Sequence, residues 1–323
     1  MPAKERLALS TRAVVGMVIA ALKTSFPNDW ARLLGMHFDS VQKTETYNWL
    51  GASPALREWV GGRQLKGLRK EALSITNKLW EATLAVAIED MWRDKLGQIQ
   101  IRIDDLARRG LLHWRSLINT LIVNGTGDTY GACYDSQYFF DDDHESGSSG
   151  SQTNLLTNSE VASLNVGTAD APTQAEMALA ILDVIGYMLQ YKDDQGEPAQ
   201  EDAREFHVMV PYNLHGAAQA AASLDSIRDA SGTVISNPLK GGSDFKVTVG
   251  MNARLTTTTV FYTFITDQPT KAFILQEEKG LEVDSLTEGS DHAFKENEYL
   301  FGVKTSRNAG YGEWLRAAHC TLS

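Results

Sequence analysis

The chain has few groups that could hold it together through covalent links or a metal. Only Cys133 and Cys320 occur among its 323 residues, so the sequence predicts no disulfide framework. Two thiols cannot supply a four-cysteine zinc site either. The seven histidines show no spacing typical of metal ligands and stand at positions 37, 113, 144, 207, 215, 292 and 319. We therefore expect no metal site and no cofactor.

An excess of positive charge and long hydrophobic runs are also missing. The chain has 30 Lys and Arg against 41 Asp and Glu, a formal net charge of -11, which argues against broad phosphate binding. No apolar run approaches the roughly 20 residues of a membrane span. The hydrophobic fraction of 43% and the charged fraction of 22% are typical of a soluble globular protein. A chain of this length normally divides into two lobes.

The N-terminus resembles a signal peptide only superficially. Basic residues precede the apolar run 13–22, but Lys23 ends that run and no convincing cleavage site follows. Ser10 can cap a helix. Five apolar residues would share one face of that helix, namely Val14, Val15, Val18, Ile19 and Leu22. We predict an amphipathic helix here, in a protein made in the cytoplasm.

The chain also contains none of the common catalytic signatures. No Gly-rich phosphate loop, HExxH pair or GxSxG elbow occurs, so we expect no enzymatic activity. The acidic run 141–145, Asp-Asp-Asp-His-Glu, suggests a site for a hard cation. Its spacing matches no calcium loop, and the Gly/Ser segment 146–151 beside it is typical of a flexible surface loop. We favour a solvated acidic turn over a metal site.

The longest helical pattern occupies residues 97–125. At about 1.5 Å per residue, a helix of this length reaches roughly 35–40 Å. Asn124-Gly125 provides a residue pair that commonly ends helices. Its apolar residues recur every three or four positions, which marks one helix face: Ile99, Ile103, Leu106, Gly110, Trp114, Leu117 and Leu121. We predict a single helix that spans a domain, with Trp114 in the core.

Residues 72–88, before this helix, alternate between apolar and polar with a rough period of two. Thr76-Asn77-Lys78 is a plausible turn, so the pattern predicts a long two-stranded ribbon. Such a ribbon has little core of its own and is marginal in water unless another surface covers it. A second subunit is a candidate for that surface.

Tryptophans and basic residues are mixed in the stretch that precedes the ribbon. Trp49 and Trp59 stand among glycines and a proline, a composition that does not suit the interior of a helix. The mixture is typical of a surface that meets a partner, and core packing remains the alternative. The candidate subunit interface comprises Trp49, Arg57, Trp59, Arg63, Lys66, Lys78 and Trp80.

The remaining sequence predicts a compact α/β lobe and a closing sheet. Strand and helix patterns alternate between about residues 155 and 270, with helices at 173–191 and 214–224 and strands at 206–211, 247–249 and 256–265. Residues 273–276 form a further strand and 291–297 a polar connector. Residues 299–314 predict strand, turn and strand, because 308–312 can adopt positive φ. We expect this final segment to close a sheet beside the long helix.

Five phrases in this chain resemble the major head subunit of Mu-like tailed bacteriophages and prophages. Five matches in the same order are more specific than any one of them, and fewer matching words lie between residues 150 and 270. The phrases are Tyr-x-Trp-Leu-Gly (47–51), Glu-Trp-Val-Gly-x-Arg (58–63), Ser-Ile-x-Asn-Lys (74–78), Cys-Tyr-Asp-x-Gln-x-Phe-Phe (133–140) and Phe-Gly-Val-Lys-Thr-x-Arg-x-Ala-Gly-Tyr-Gly (301–312).

This resemblance implies an α+β fold, the tailed-phage major capsid fold named after the Hong Kong phage. Its parts would be an N-terminal arm (1–46), an extended two-stranded loop (47–92), a peripheral domain with a spine helix (93–154), an axial domain (155–270) and a return to the peripheral domain (271–323). The ribbon, the long helix and the α/β lobe predicted from the residues follow the same order.

The resemblance also implies a function and partners. The chain would be a major capsid protein that self-assembles through pentamers and hexamers into the icosahedral head shell of the virion. The shell would enclose double-stranded DNA without sequence-specific binding. The implied partners are other copies of the chain, a separate scaffold protein, a portal and a decoration protein, with assembly in the host cytoplasm and no membrane. Two alternatives stay open: an encapsulin-like protein compartment, and a metal-dependent hydrolase built on 141–145.

Overall fold

A computed structural model describes residues 29–50, 70–93, 98–241 and 244–323. The N-terminal helix predicted at 13–22 lies outside the described residues. The strands are β1 (Gly35–Asp39), β2 (Thr44–Leu50), β3 (Lys70–Thr76), β4 (Lys78–Ala87), β5 (Leu155–Leu156), β6 (Glu205–Val210), β7 (Ser226–Arg228), β8 (Val234–Ser236), β9 (Lys246–Met251), β10 (Val260–Ile265), β11 (Phe273–Leu286), β12 (Glu298–Tyr311) and β13 (Ala317–Thr321).

None of the helices that the structure describes is both long and apolar enough to cross a bilayer. They are α1 (Trp30–Leu34), α2 (Ile88–Arg93), α3 (Gln98–Leu111), α4 (His113–Val123), α5 (Gln174–Met188), α6 (His215–Ser223), α7 (Pro238–Gly241) and α8 (Asp291–Glu296), with 3-10 turns at Ala162–Leu164 and Trp314–Arg316.

The first sheet has the strand order β1-β11-β12-β4. β11 and β12 form a long antiparallel hairpin, and β4 pairs antiparallel with β12 from Lys78 to Ala87. Alternate residues of β12 point to one face, as strand geometry requires. They pack against α3 in a small core of buried residues: Val86, Ala107, Tyr299, Phe301 and Val303. The predicted sheet beside the long helix is confirmed.

The second sheet has the order β5-β13-β10-β6-β9. β6 and β9 run parallel, whereas β10 lies antiparallel to β6 and β13. All six residues of β10 are buried, as expected for a central strand covered on both faces. Helices α5 and α6 confirm the pattern predicted for this region. The final strand differs from the expectation for 271–323, because β13 lies in this second sheet rather than in the first.

Helix α5 shows why the local sequence folds as it does. Thr173 caps its start: the Thr173 hydroxyl accepts from the backbone N–H of Glu176, and the Glu176 carboxylate accepts from the backbone N–H of Thr173. This reciprocal pair satisfies two backbone donors at the helix start. The face predicted to be apolar is fully buried in the main core, including Met177, Ile181 and Val184.

The long helix at 97–125 is confirmed in position but not as one element, because Leu112 separates α3 from α4. Hydrogen bonds continue across the break: the Leu112 N–H still donates to the Arg108 carbonyl, and the Leu112 carbonyl accepts from the N–H groups of Arg115 and Ser116. The Gly110 carbonyl accepts from the Arg307 guanidinium at 2.6 Å. In an uninterrupted helix this carbonyl would accept a hydrogen bond from a backbone N–H of the next turn. Here a side chain from β12 donates to it.

The predicted ribbon at 72–88 is wrong in its pairing. β3 pairs with β2, and β4 pairs with β12 in the first sheet. Asn77 alone separates β3 from β4, and its amide nitrogen donates to Ser40 Oγ and to the Gln42 carbonyl, both at 2.9 Å. A period of two identifies strands but not their partners. The supposed turn is a junction held by the loop that precedes β2.

The turn predicted at 308–312 is also wrong, since β12 continues without a break to Tyr311. Its glycine serves close packing rather than a reversal of the chain. A Cβ atom at Gly310 would lie 2.5 Å from Cδ1 of Ile75, which no side chain could tolerate without displacing Ile75. The connector predicted at 291–297 is mostly the short helix α8.

Side chains along the long helical segment differ in burial, which allows a test of the buried face. Ile118 is fully buried and Leu117 only partly so, so the buried face is rotated slightly from the predicted one. We expect Ile118→Asp to place an unpaired charge in the core and to lower the free energy of unfolding by at least about 4 kcal/mol.

The matched change on the same long helical segment is Arg109→Ala. The Arg109 side chain is 78% exposed and pairs only with Asp105 one turn earlier, an interaction worth about 0.3–0.5 kcal/mol. Urea unfolding curves of the two variants measure the difference. Equal stabilities would show that the buried face has been assigned incorrectly.

Candidate assembly surface

The ribbon formed by β2 and β3 is a two-stranded sheet of its own. Hydroxyl groups pair across its exposed face: Thr44 with Thr76 at 2.9 Å, and Thr46 with Ser74 at 3.1 Å. Cross-strand pairs of this kind each contribute a few tenths of a kcal/mol up to about 1 kcal/mol. The ribbon is therefore held in register by its own side chains, without a core beneath it on this face.

The base of the ribbon is anchored to the first sheet. The Tyr47 hydroxyl donates to Gln276 Oε1 at 2.8 Å, and the rings of Tyr47 and Phe38 lie 5.3 Å apart. Burial, followed by the negative charge of Glu45, raises the pKa of Tyr47 to about 12. Ile75 is buried at 4% exposure against Gly310. Beyond these residues, the backbones of 48–50 and 70–72 pair with each other.

The structure locates some of the predicted interface residues. Trp49 lies in β2, and its side chain is outside the described part of the chain. Lys78 is exposed at the start of β4. Trp80 is half-buried, and its indole N–H donates to the Arg307 carbonyl at 2.8 Å. Four further candidates, Arg57, Trp59, Arg63 and Lys66, fall outside the described residues. The interface role of all seven remains a prediction.

Sequence reasoning did not single out Arg307, the residue that joins the first sheet to the long helix. Its guanidinium donates to Gly110 O at 2.6 Å and to His113 Nδ1 at 3.1 Å. It also lies 4.6 Å above the Trp114 ring and 3.6 Å from Glu277. Arg307 follows Phe301, Val303 and Thr305 on the inward face of β12, so an arginine in that alternating pattern was the available signal.

Burial changes the proton affinities around Arg307. Burial lowers the pKa of Arg307 to about 10, and the neighbouring Glu277 opposes that shift. Burial, and then the positive charges of Arg307 and Arg254, lower the pKa of His113 to about 4. His113 is therefore neutral at pH 7 and accepts the Arg307 hydrogen bond through Nδ1. The pair forms a fixed donor–acceptor contact without mutual charge repulsion.

The acidic run departs from the solvated turn that the sequence predicts. Asp142 and Asp143 are exposed, but His144 is fully buried, with its Nδ1 2.6 Å from Asp135 Oδ2. The His144 ring stacks on Trp314 at 4.0 Å. The solvated-turn prediction is wrong for His144, because the preceding phrase 133–140 supplies a buried carboxylate that pairs with it. Within the described residues, the only group spaced for a metal is Asp141 with Asp142 and Asp143.

The Arg307 contacts predict a large effect of substitution. Arg307→Ala leaves the Gly110 carbonyl without the guanidinium and leaves Glu277 with His37 as its remaining basic neighbour, and we expect a loss of about 3 kcal/mol in the free energy of unfolding. Arg307→Lys should recover less than half, because an ammonium group cannot reproduce the planar fork.

The matched control is Lys304→Ala on the same strand. Lys304 pairs with Asp284 and Glu282 but is 44% exposed, so its removal should destabilise the protein far less than the loss of Arg307. Denaturant titration of the three variants tests this ranking. An Arg307→Lys variant as stable as the unchanged protein would contradict the role of the guanidinium geometry.

The acidic run separates into two parts that substitution can distinguish. Partial desolvation and the charges of Asp141 and Asp142 raise the pKa of Asp143 above its usual value. Changing Asp142 and Asp143 to Asn should therefore leave the melting temperature unchanged or slightly higher, with no effect of a chelator in either protein. His144→Gln should cost about 3–5 kcal/mol, since it removes the ring that pairs with Asp135 Oδ2 and stacks on Trp314 and leaves Asp135 with the Gln137 N–H. Calorimetry with and without EDTA measures both, and a chelator-dependent melting temperature that the Asn changes abolish would indicate a metal site.

Comparison with known proteins identifies the family. The model described as "Mu-like prophage major head subunit gpT" matches residues 20–170 and 235–321, most of the chain. The Mu-like prophage FluMu major head subunit of Haemophilus influenzae is 33% identical over 132 residues, which cover 41% of this chain and 42% of that protein. The major capsid protein of Escherichia phage Mu is 23% identical over 310 residues, 93% of this chain and 72% of that protein. The match to the Haemophilus protein thus spans less than half of its length.

Solved structures show the same fold. The procapsid subunit of bacteriophage JBD30 gives a TM-score of 0.54 at 22% identity, covering 100% of this chain and 76% of that one. The mature capsid of bacteriophage PhiM1 gives 0.53 at 12% identity, covering 93% and 89%. At these identities the likeness is evidence of the fold alone. With the family model matching well over half of its length, the chain belongs to the family of Mu-like prophage major head subunits and has the tailed-phage capsid fold.

Proposed function

We propose that the chain is a major capsid protein whose copies form the icosahedral head shell around double-stranded phage DNA. The observation that carries this proposal is the ribbon of β2 and β3, a two-stranded sheet of its own that is anchored to the first sheet through Tyr47. A hairpin of two strands is marginal in water by itself. Contact with a neighbouring subunit would cover it, and the family of head subunits supplies that neighbour.

The architecture suits assembly through several modest contacts. Two sheets with shared core packing give a rigid body, while the ribbon extends the surface available to neighbours. Identical subunits close a shell through heterologous contacts that complete rings, here pentamers and hexamers. Stable interfaces usually bury well over 1,000 Å² in total, and a projecting ribbon spreads such an area over more than one neighbour.

The charge of the chain agrees with a wall around packed DNA. A net charge of -11 disfavours strong adsorption of a polyanion, so the enclosed DNA would be held by confinement and not by sequence-specific contacts. We further propose a portal, a separate scaffold protein and a decoration protein as partners, with assembly in the host cytoplasm and the virion as final location. No catalytic step is assigned to the protein. Neither an encapsulin-like role nor a hydrolase has a specific observation in its favour.

Removing the ribbon tests the proposal. Asn48 and Ala72 are paired residues of β2 and β3, so an Asn-Gly turn can replace 49–71 and close a short hairpin. Because the anchors Tyr47 and Ile75 stay in place, we expect a soluble subunit with an unchanged melting temperature that forms no shells in electron micrographs.

A second variant tests the side chains of the segment separately from its length. Replacing only 51–69 with a Gly/Ser linker of equal length keeps the described strands and removes Arg57, Trp59, Arg63 and Lys66. If these side chains belong to the interface, this variant should also fail to form shells while remaining folded. Normal shells from the Asn-Gly variant would overturn the assembly role of the ribbon.

A further inference from the structure

Phe294 is the most exposed large hydrophobic side chain in the described part of the chain, at 91% exposure. It stands on α8, in the connection between β11 and β12 at one end of the first sheet. An aromatic ring left almost entirely in water gains substantial free energy when a partner covers it. Aromatic residues of this kind are common anchors of protein interfaces.

Helix α8 presents this ring in a defined orientation. Ser290 caps the helix start by accepting from the Ala293 N–H at 3.2 Å, and Asn297 ends it in the left-handed conformation at φ 56°. Ala293 packs against the small core of the first sheet. Both helix ends and the neighbouring residue are thus fixed, so little backbone entropy would be lost when Phe294 is covered, and the cost is that of ordering its one ring.

A cleft of matching size opens between α3 and the same sheet. Its volume is about 140 Å³, and an apolar cavity of roughly 150 Å³ can hold a benzene ring. The Trp80 ring and three aliphatic side chains provide apolar walls, and Arg109 stands at the rim; the aliphatic residues are Leu106, Leu281 and Val303. An aromatic ring in this cleft would contact aliphatic groups, an indole and a guanidinium, all favourable neighbours.

The two features carry different charges. Residues 287–298 around α8 carry four carboxylates, Glu288, Asp291, Glu296 and Glu298, against the single Lys295. The cleft is lined by Arg109 and Arg307 against Glu81, and Asp105 pairs with Arg109. The lining therefore has mixed charge with a small positive excess, which orients a contact more than it adds affinity.

Phe294 cannot fill the cleft of its own chain. Val303 and Thr305, which line the cleft, lie five and seven residues along β12 from Glu298, roughly 17–23 Å at the rise of a strand. A single side chain does not span that distance. A contact between the two features therefore joins different molecules, with each copy giving one ring and receiving another, which is the heterologous arrangement that closes into rings.

We propose that Phe294 of one subunit inserts into the cleft between α3 and the first sheet of a second copy of this chain. The proposal rests on the shell function proposed above and specifies one of its contacts. In the assembled shell, the tip of the β11–β12 hairpin would supply the ring, and the long helix would form one wall of the cleft that receives it.

The first test is the assembly of Phe294→Ala, expressed with and without the phage scaffold protein. Because Phe294 is exposed, its loss should not change the melting temperature. We expect the protein concentration needed for shells to rise about tenfold or more, the effect of losing an interface anchor. Phe294→Leu is the conservative control and should restore part of the assembly.

The second test is directed cross-linking of assembled shells. Phe294→Cys combined with Arg109→Cys should give a ladder of covalent multimers with a short bismaleimide. Each single variant should give no product beyond dimers, and neither should Phe294→Cys combined with Met251→Cys in the second sheet. The native thiols do not interfere, since Cys133 and Cys320 are both buried.

The outcomes separate this contact from the shell function itself. If the unchanged chain forms shells but the Cys pair gives no ladder, or Phe294→Ala assembles at the normal concentration, the contact is refuted and the shell function stands. If the unchanged chain forms no shells even with its scaffold, the shell function fails and this contact fails with it. A ladder specific to the pair, together with weakened assembly of Phe294→Ala, supports the contact.

Discussion

The guanidinium of Arg307 is the contact on which the arrangement of the first sheet and the long helix depends. It binds the last turn of α3, the first residue of α4 and Glu277 of β11 while lying over Trp114. A buried arginine is costly unless its donors are satisfied, so the surrounding groups are constrained to their places. Next to the break at Leu112, the Gly110 carbonyl accepts from this guanidinium, and the positive charge of Arg307 adds to the burial that lowers the pKa of His113.

Around that fixed centre, the described residues form a body with two filled cores and two elements at its margin, the ribbon and the tip at α8. The body contains the two sheets and the buried face of α5. The ribbon and the tip at α8 are stabilised locally, by paired hydroxyl groups and by helix caps. Such elements keep their shape in the free subunit while leaving their outer surfaces available. A shell subunit needs this combination, since it must fold before its neighbours arrive.

Periodicity in the sequence was sufficient to locate most elements but not to pair them. The repeat in 97–125 and the capping pattern at Thr173 depend on nearby residues, so the helices were predictable. The partners of β3 and β4 depend on Asn77 contacting the Ser40 loop, and the continuity of β12 depends on Ile75 filling the space beside Gly310. Both contacts join residues far apart in sequence. The burial of His144 likewise required Asp135 and Trp314 to meet, which no local pattern reveals.

The place of β13 has a consequence for the order of events during synthesis. This strand lies between β5 and β10 in the second sheet, although both of those strands are translated well before it. A nascent chain on the ribosome therefore carries an unfilled gap in this sheet until residues 317–321 emerge. A chain that stops before residue 317 would retain that gap, with the edges of β5 and β10 unpaired on the sides that face each other.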